Sequence, residues 1–168
     1  MTTPKTLCLW DFSLATYSLP QIADACLHLQ DSHGVNVNVL LWSHWLGMRQ
    51  IALTVTRLEL ALATIAHWDI DCVQALRQLR RNIKHEFVCD IEKLKMVALR
   101  EEIKRAELLA EKYLQQCLEN LSAVWQMESS AVAIVSNMQL YLDYLKLPPL
   151  AIEQATMVFT QSQTPRKP

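Results

Sequence analysis

A chain of 168 residues with 51% hydrophobic and 20% charged side chains can bury one sizeable core and is too apolar to be disordered. Its formal net charge of −1 excludes a surface built as a whole to attract nucleic acid or anionic lipid, so any such partner must meet a local patch. Five cysteines, Cys8, Cys26, Cys72, Cys89 and Cys117, are odd in number and far apart, with no C-x-x-C pair. That usage suits free buried thiols in a reducing compartment rather than a disulfide framework.

The N-terminus offers only "LCLW" before Asp11, too short for a signal-peptide apolar region, and no later run approaches the roughly 18 apolar residues of a membrane helix. A cytoplasmic protein without a membrane partner is the expectation. Only two glycines occur, Gly34 and Gly47, and no glycine or proline stands between Met48 and Leu147. Sheet architectures need those residues often, so the fold class is all-α: a single-domain bundle of about six to eight helices over 1–159, with a disordered tail at 160–168.

In chain order, Ser18-Leu19-Pro20-Gln21 matches a capping box with Pro in the first turn. It opens a helix with Ile22, Ala25, Cys26 and Leu29 on one face, which Gly34 ends. At about 100° per residue, Val37, Leu40, Leu41, His44, Trp45 and Met48 share one arc, while Val39, Trp42 and Leu46 cover much of the rest. A helix apolar nearly all round is a central buried one, here near 37–48 with Asn36 as its N-cap. Trp42, off the main arc, is the tryptophan expected at a contact surface.

Thr56 to Glu59 forms a second capping box, with Leu58, Ala61, Leu62 and Ile65 inward. Asp69 or Asp71 then caps a helix burying Val73, Leu76, Leu79, Ile83 and Phe87. From Ile91 to Trp125 the pattern is unbroken, with Leu99, Ile103, Ala106, Ala110, Tyr113, Cys117, Leu121 and Val124 every three or four residues. That spacing predicts one rod of roughly 50 Å or a break near Cys89 and Asp90. Two last helices, about Ser130 to Lys146 and Leu150 to Phe159, flank Pro148-Pro149.

The N-terminal third also carries a resemblance. Trp10-Asp11-Phe12-Ser13 followed by Tyr17, then Ala25-Cys26-Leu27 with Leu29-Gln30-Asp31, then Gly34, Val37-Asn38, Leu40-Leu41 and Trp45-Leu46 resemble the opening of a small proteobacterial family of all-helical proteins of unknown function. "LREEIKRAELLAEK", Leu99 to Lys112, resembles that family's second recurring segment. The resemblance implies a helical fold and supplies no activity.

Function must therefore be sought in side chains. Among His28, His33, His44, His67 and His85, no pair stands at the i, i+3 or i, i+4 spacing of a helical metal site, so neither a metal nor another cofactor is expected. His44 lies on the core arc, where a histidine hydrogen-bonded inside the bundle is the main expectation. Asp11, Gln30, Asp31 and Asn38 are caps and core hydrogen bonds in the plain reading, or a pocket with His44, Trp10 and Tyr17 in the functional one.

Arg77, Arg80, Arg81 and Lys84 form one positive stripe able to contact phosphates. Because it lies beside the Leu76/Ile83 stripe, Arg80 could instead pair with an acid from another helix. With no Walker, dinucleotide or nucleophile-elbow motif, the reading leans away from an enzyme. The expectation is a non-catalytic interaction or scaffold protein with a protein partner or a second copy docked along the long helix. A nucleic-acid-associated accessory factor using 77–84 is the alternative, and an enzyme or ligand-binding protein with a pocket around His44 comes third.

Overall fold

The computed structural model describes residues 7–83, 90–126 and 135–161. Among them are eight α-helices and one π-helical stretch: α1 Leu9–Tyr17, α2 Pro20–His33, α3 Val37–Met48, α4 Val55–Trp68, the π-helical Asp69–Gln74, α5 Ala75–Asn82, α6 Asp90–Ser122, α7 Ser136–Tyr144 and α8 Pro149–Gln161. The all-α, single-bundle expectation holds. None of the described helices is long and apolar enough to cross a membrane.

α3 is the centre of the molecule. Asn38 through Gly47 are all buried, as an all-round apolar helix requires, and α3 packs against α1, α2, α6 and α7. The Asn36 side chain accepts the Asn38 N–H at 3.0 Å, satisfying an orphan donor of the first turn. Upstream, Gly34 ends α2 at φ 67°, a left-handed conformation that suits glycine. Trp42 is not a surface residue: it is fully buried and its indole N–H donates to Ser122 Oγ at 3.2 Å. Even a helix's off-arc side is covered when neighbours surround it.

The first turns depart from the capping reading. α1 fills the segment before Pro20, and Ser18 closes it, donating its hydroxyl to the Ala15 carbonyl at 2.7 Å. α2 therefore begins after Leu19, with Pro20 supplying the first-turn residue that needs no N–H partner. Glu119 of α6 accepts the Leu9 N–H at 3.1 Å, placing a carboxylate at the positive end of α1. For α4 the cap is Thr54 rather than Thr56, its hydroxyl accepting the Arg57 N–H.

α4 runs into the π-helical stretch and on into α5 without a cap at Asp69 or Asp71. α6 is one continuous helix of 33 residues, about 50 Å long, ending at Ser122 rather than Trp125. Its inward stripe is Ile103, Glu107, Ala110, Leu114, Leu118 and Ser122, so Leu99, Ala106, Tyr113, Cys117 and Val124 are exposed, against the sequence expectation. Ile103 and Ala110 are the positions of that expectation that α6 does bury.

α7 and α8 close the far side. Asn137 in α7 accepts the Leu53 N–H and donates to the Ile51 carbonyl, both at 2.8 Å, fixing the loop before α4. α7 starts at Ser136; of the expected Ser130 start, residues 130–134 lie outside the described ones. Of the 160–168 tail, Thr160 and Gln161 belong to α8, and 162–168 lie outside the described residues. Cys26 is buried, Cys72 half-buried, and Cys8 and Cys117 exposed, so the thiols are free but not all interior; Cys89 is outside the described residues.

A candidate ligand cleft walled by a charge cluster

A cluster of four charged side chains lies where α5 meets α6. Arg77 is only 8% exposed, and its guanidinium donates to Glu107 at 3.0 Å and to Glu111 at 2.6 Å. Arg80 grips the same Glu107 through Nε and, at 3.1 Å, through Nη2. Glu107 and Glu111 stand at i, i+4 on α6, a like-charge spacing that destabilises a helix unless a cation intervenes. The two arginines of α5 supply that cation.

The carboxylates respond in opposite directions. Burial would raise Glu107, but hydrogen bonds from Arg80 and Arg77 outweigh it and hold its carboxyl below the ordinary range. Burial raises Glu111, with the Glu107 charge adding to the effect and Arg77 only partly offsetting it. Burial likewise raises the Tyr17 hydroxyl, reinforced by Cys26 and Glu111.

Beside this cluster opens a cleft of about 260 Å³. Its charged end is formed by Arg77, Arg80, Lys104, Glu107 and Glu111; its apolar wall includes Trp10, Leu14, Leu27, Val37, Leu41 and Leu108. Ser13, Tyr17, Gln30, Asn38 and Gln115 provide the polar groups between. Gln115 donates to Asn38 Oδ1 at 2.8 Å, a bond that ties α6 to the first turn of α3. The Gln115 Oε1 and Ser13 Oγ atoms, both buried, meet no hydrogen-bond partner among the described residues.

The expected pocket of Asp11, Gln30, Asp31, Asn38 and His44 is therefore divided. Gln30 and Asn38 line the cleft, together with the expected companions Trp10 and Tyr17. His44 does not. It lies between the rings of Phe12 and Phe159, with centroids at 5.5 and 5.1 Å, in a separate depression of about 230 Å³. Burial pulls its imidazole down to about 4, so it is neutral at ordinary pH. Six residues along a helix is 600°, which turns His44 well away from Asn38.

Asp31 is at the surface, its carboxyl lowered by the hydrogen bond from Arg81, which is 2.6 Å long. Asp11 is exposed on α1. The basic stripe is likewise divided: Arg77 and Arg80 turn onto α6, Arg81 goes to Asp31, and Lys84 lies outside the described residues. Leu79, expected inside, is exposed, because the ion pairs to α6 bring Arg77 rather than the leucine inward.

His28 and His33 meet edge to face at 5.9 Å, and no group of three or more His, Cys, Asp or Glu suited to a metal occurs among the described residues. Sequence reasoning overlooked Ser13, Glu107, Glu111 and Gln115 as site residues. The signal was present in the acid-acid-amide run at 107, 111 and 115, one ridge of α6 with no base between its members at the same spacing.

Residues 8–118 match the model of a family described as Protein of unknown function (DUF2390). No curated protein and no solved structure matches the chain.

Proposed function

The chain belongs to the DUF2390 family of proteins of unknown function, and from that premise we propose that it is a non-catalytic helical binding protein whose cleft takes a small ligand. The observation that carries this reading is the pair Ser13 Oγ and Gln115 Oε1: two buried polar atoms of residues on the wall of a concave site, each without a hydrogen-bond partner among the described residues. Buried polar atoms ordinarily find partners, and an apolar cleft with a few convergent polar groups is the usual form of a small-molecule site. The paired charges at its end suit holding a shape more than moving a proton. Free thiols at the four described cysteines support a cytosolic setting.

A thermal-shift screen of small part-polar compounds tests this reading. A true ligand raises the melting temperature and changes Trp10 emission. Leu108→Arg, at the exposed rim, abolishes both effects with helicity unchanged. A screen in which nothing stabilises the wild-type protein overturns it.

A second reading, contact with another copy of the chain along the long helix, is favoured by one observation. Leu94 and Val97 near the start of α6 are 74% and 61% exposed, among charges of both signs. Sedimentation tests it: self-association lost in Leu94→Glu/Val97→Glu supports it, and a monomeric wild-type particle at high concentration removes it. Nucleic-acid contact has the least support, since Arg77, Arg80 and Arg81 all face carboxylates.

A further inference from the structure

We infer that the ligand of this cleft carries an uncharged hydrogen-bonding head, a hydroxyl or an amide, on a short apolar body; this rests on the reading of the cleft as a binding site. The arginine and glutamate charges that line it are already matched. Arg77 is held by Glu107 and Glu111 and Arg80 by Glu107, while Lys104, more than half exposed and 3.9 Å from Glu101, keeps its charge in water. An ionic head must break one of these pairs or sit beside both signs at once, and in either case it loses its own hydration. An uncharged head meets no such opposition.

What the cleft leaves open is neutral. Ser13 offers a hydroxyl and Gln115 one end of an amide. A hydroxyl or amide both donates and accepts, so it satisfies these groups whichever way the Gln115 amide is turned. Gln115 is pinned to Asn38, and the Asn38 backbone to Asn36, so little ordering remains for binding to impose. Ser13 Oγ and Gln115 Oε1 are both buried, so a head that reaches them makes hydrogen bonds that the described residues leave unmade. The volume of about 260 Å³ lies just below the range of drug-sized sites, which keeps the apolar body short against Leu14, Leu27 and Leu108.

Four probes with one chain length isolate the head: 1-octanol, octanamide, octanoate and octylammonium, titrated into the full chain by calorimetry. The uncharged pair is expected to bind at least about tenfold tighter than either ion, the factor of one well-made buried hydrogen bond. Ser13→Ala removes an unmatched hydroxyl, so it should leave the ligand-free melting temperature equal or higher while weakening octanol severalfold. A merely structural serine would not give those opposite signs. Gln115→Met should weaken octanamide in the same way.

If either ion binds as tightly as the uncharged probes, the head is wrong and the cleft reading stands. Equal binding of all four that neither substitution changes indicates partition of the chain alone and overturns the inference. Failure of all four, with a ligand found in the thermal-shift screen, overturns the head; failure of both experiments overturns the cleft.

Discussion

Asn38 and His44 are polar residues on the same buried helix, and the molecule treats them in opposite ways. His44 is set between two phenylalanine rings, and apolar burial drives its imidazole neutral. Asn38 reaches a second amide and, beyond it, four mutually paired charges and an open cleft. The difference teaches that burial alone does not make a polar residue functional. A polar group becomes available to an outside molecule where its neighbours are themselves polar, satisfied and adjacent to space.

The most severe way to break the comparison is at the cleft. Arg77→Met leaves Glu107 and Glu111 with half their compensation in a buried setting, and should cost roughly 3–5 kcal/mol, read as a lower urea midpoint. On the His44 side the lever is pH. Its folded pKa lies near 4 against an ordinary 6.5, so the unfolded chain takes up the proton first. The stability tied to a neutral His44 is whole above pH 6.5 and is lost as pH falls to about 4, reaching roughly 3 kcal/mol. Replacing His44 with leucine should flatten that part of the stability-pH curve; an unchanged slope would show that the imidazole titrates normally.

Smaller effects sharpen the contrast. Asn36→Ala removes the cap that orders the first turn of α3, where Asn38 sits, and should cost about 1 kcal/mol by denaturant unfolding. It should reduce ligand binding through Asn38 while leaving the low-pH behaviour of His44 intact. Arg81→Ala, at an exposed pair with Asp31, should change stability by less than about 1 kcal/mol, and less still in high salt. A large effect there would mean that the outer end of the stripe supports the cleft.

The fold was legible because its strongest signal is coarse. The scarcity of glycine and proline and the apolar run of 37–48 both speak to helix and burial without needing exact phase. Asn36 as cap and Gly34 as stop were readable for the same reason, since each solves a local backbone problem. α6 was harder. With hydrophobic residues on several sides, including Leu94, Leu108 and Leu109, its pattern supports more than one inward stripe, and only packing chose the one through Leu114 and Leu118. The burial of Arg77 was illegible to any hydrophobicity argument, because a charge goes inside only for a partner far away in sequence. Two like-charged sets of opposite sign, Arg77/Arg80 and Glu107/Glu111, nonetheless predict one another once both are placed on helices.

The π-helical stretch has an implication for how this protein tolerates change in length. A wide turn holds one residue more than an α-helix spends on the same advance, so Asp69–Gln74 behaves as an absorbed insertion: Ile65 before it, Val73 within it and Arg77 after it are all buried. Loss of one residue there, the exposed Ile70 for instance, should relax the rod to a regular helix and leave Arg77 against α6. The same deletion inside α5, ahead of Arg77, would swing everything after it by about 100° and dismantle the charged wall. Gaps between relatives in this region should therefore gather at 69–74, and a chain shortened there should still bind what the full-length one binds.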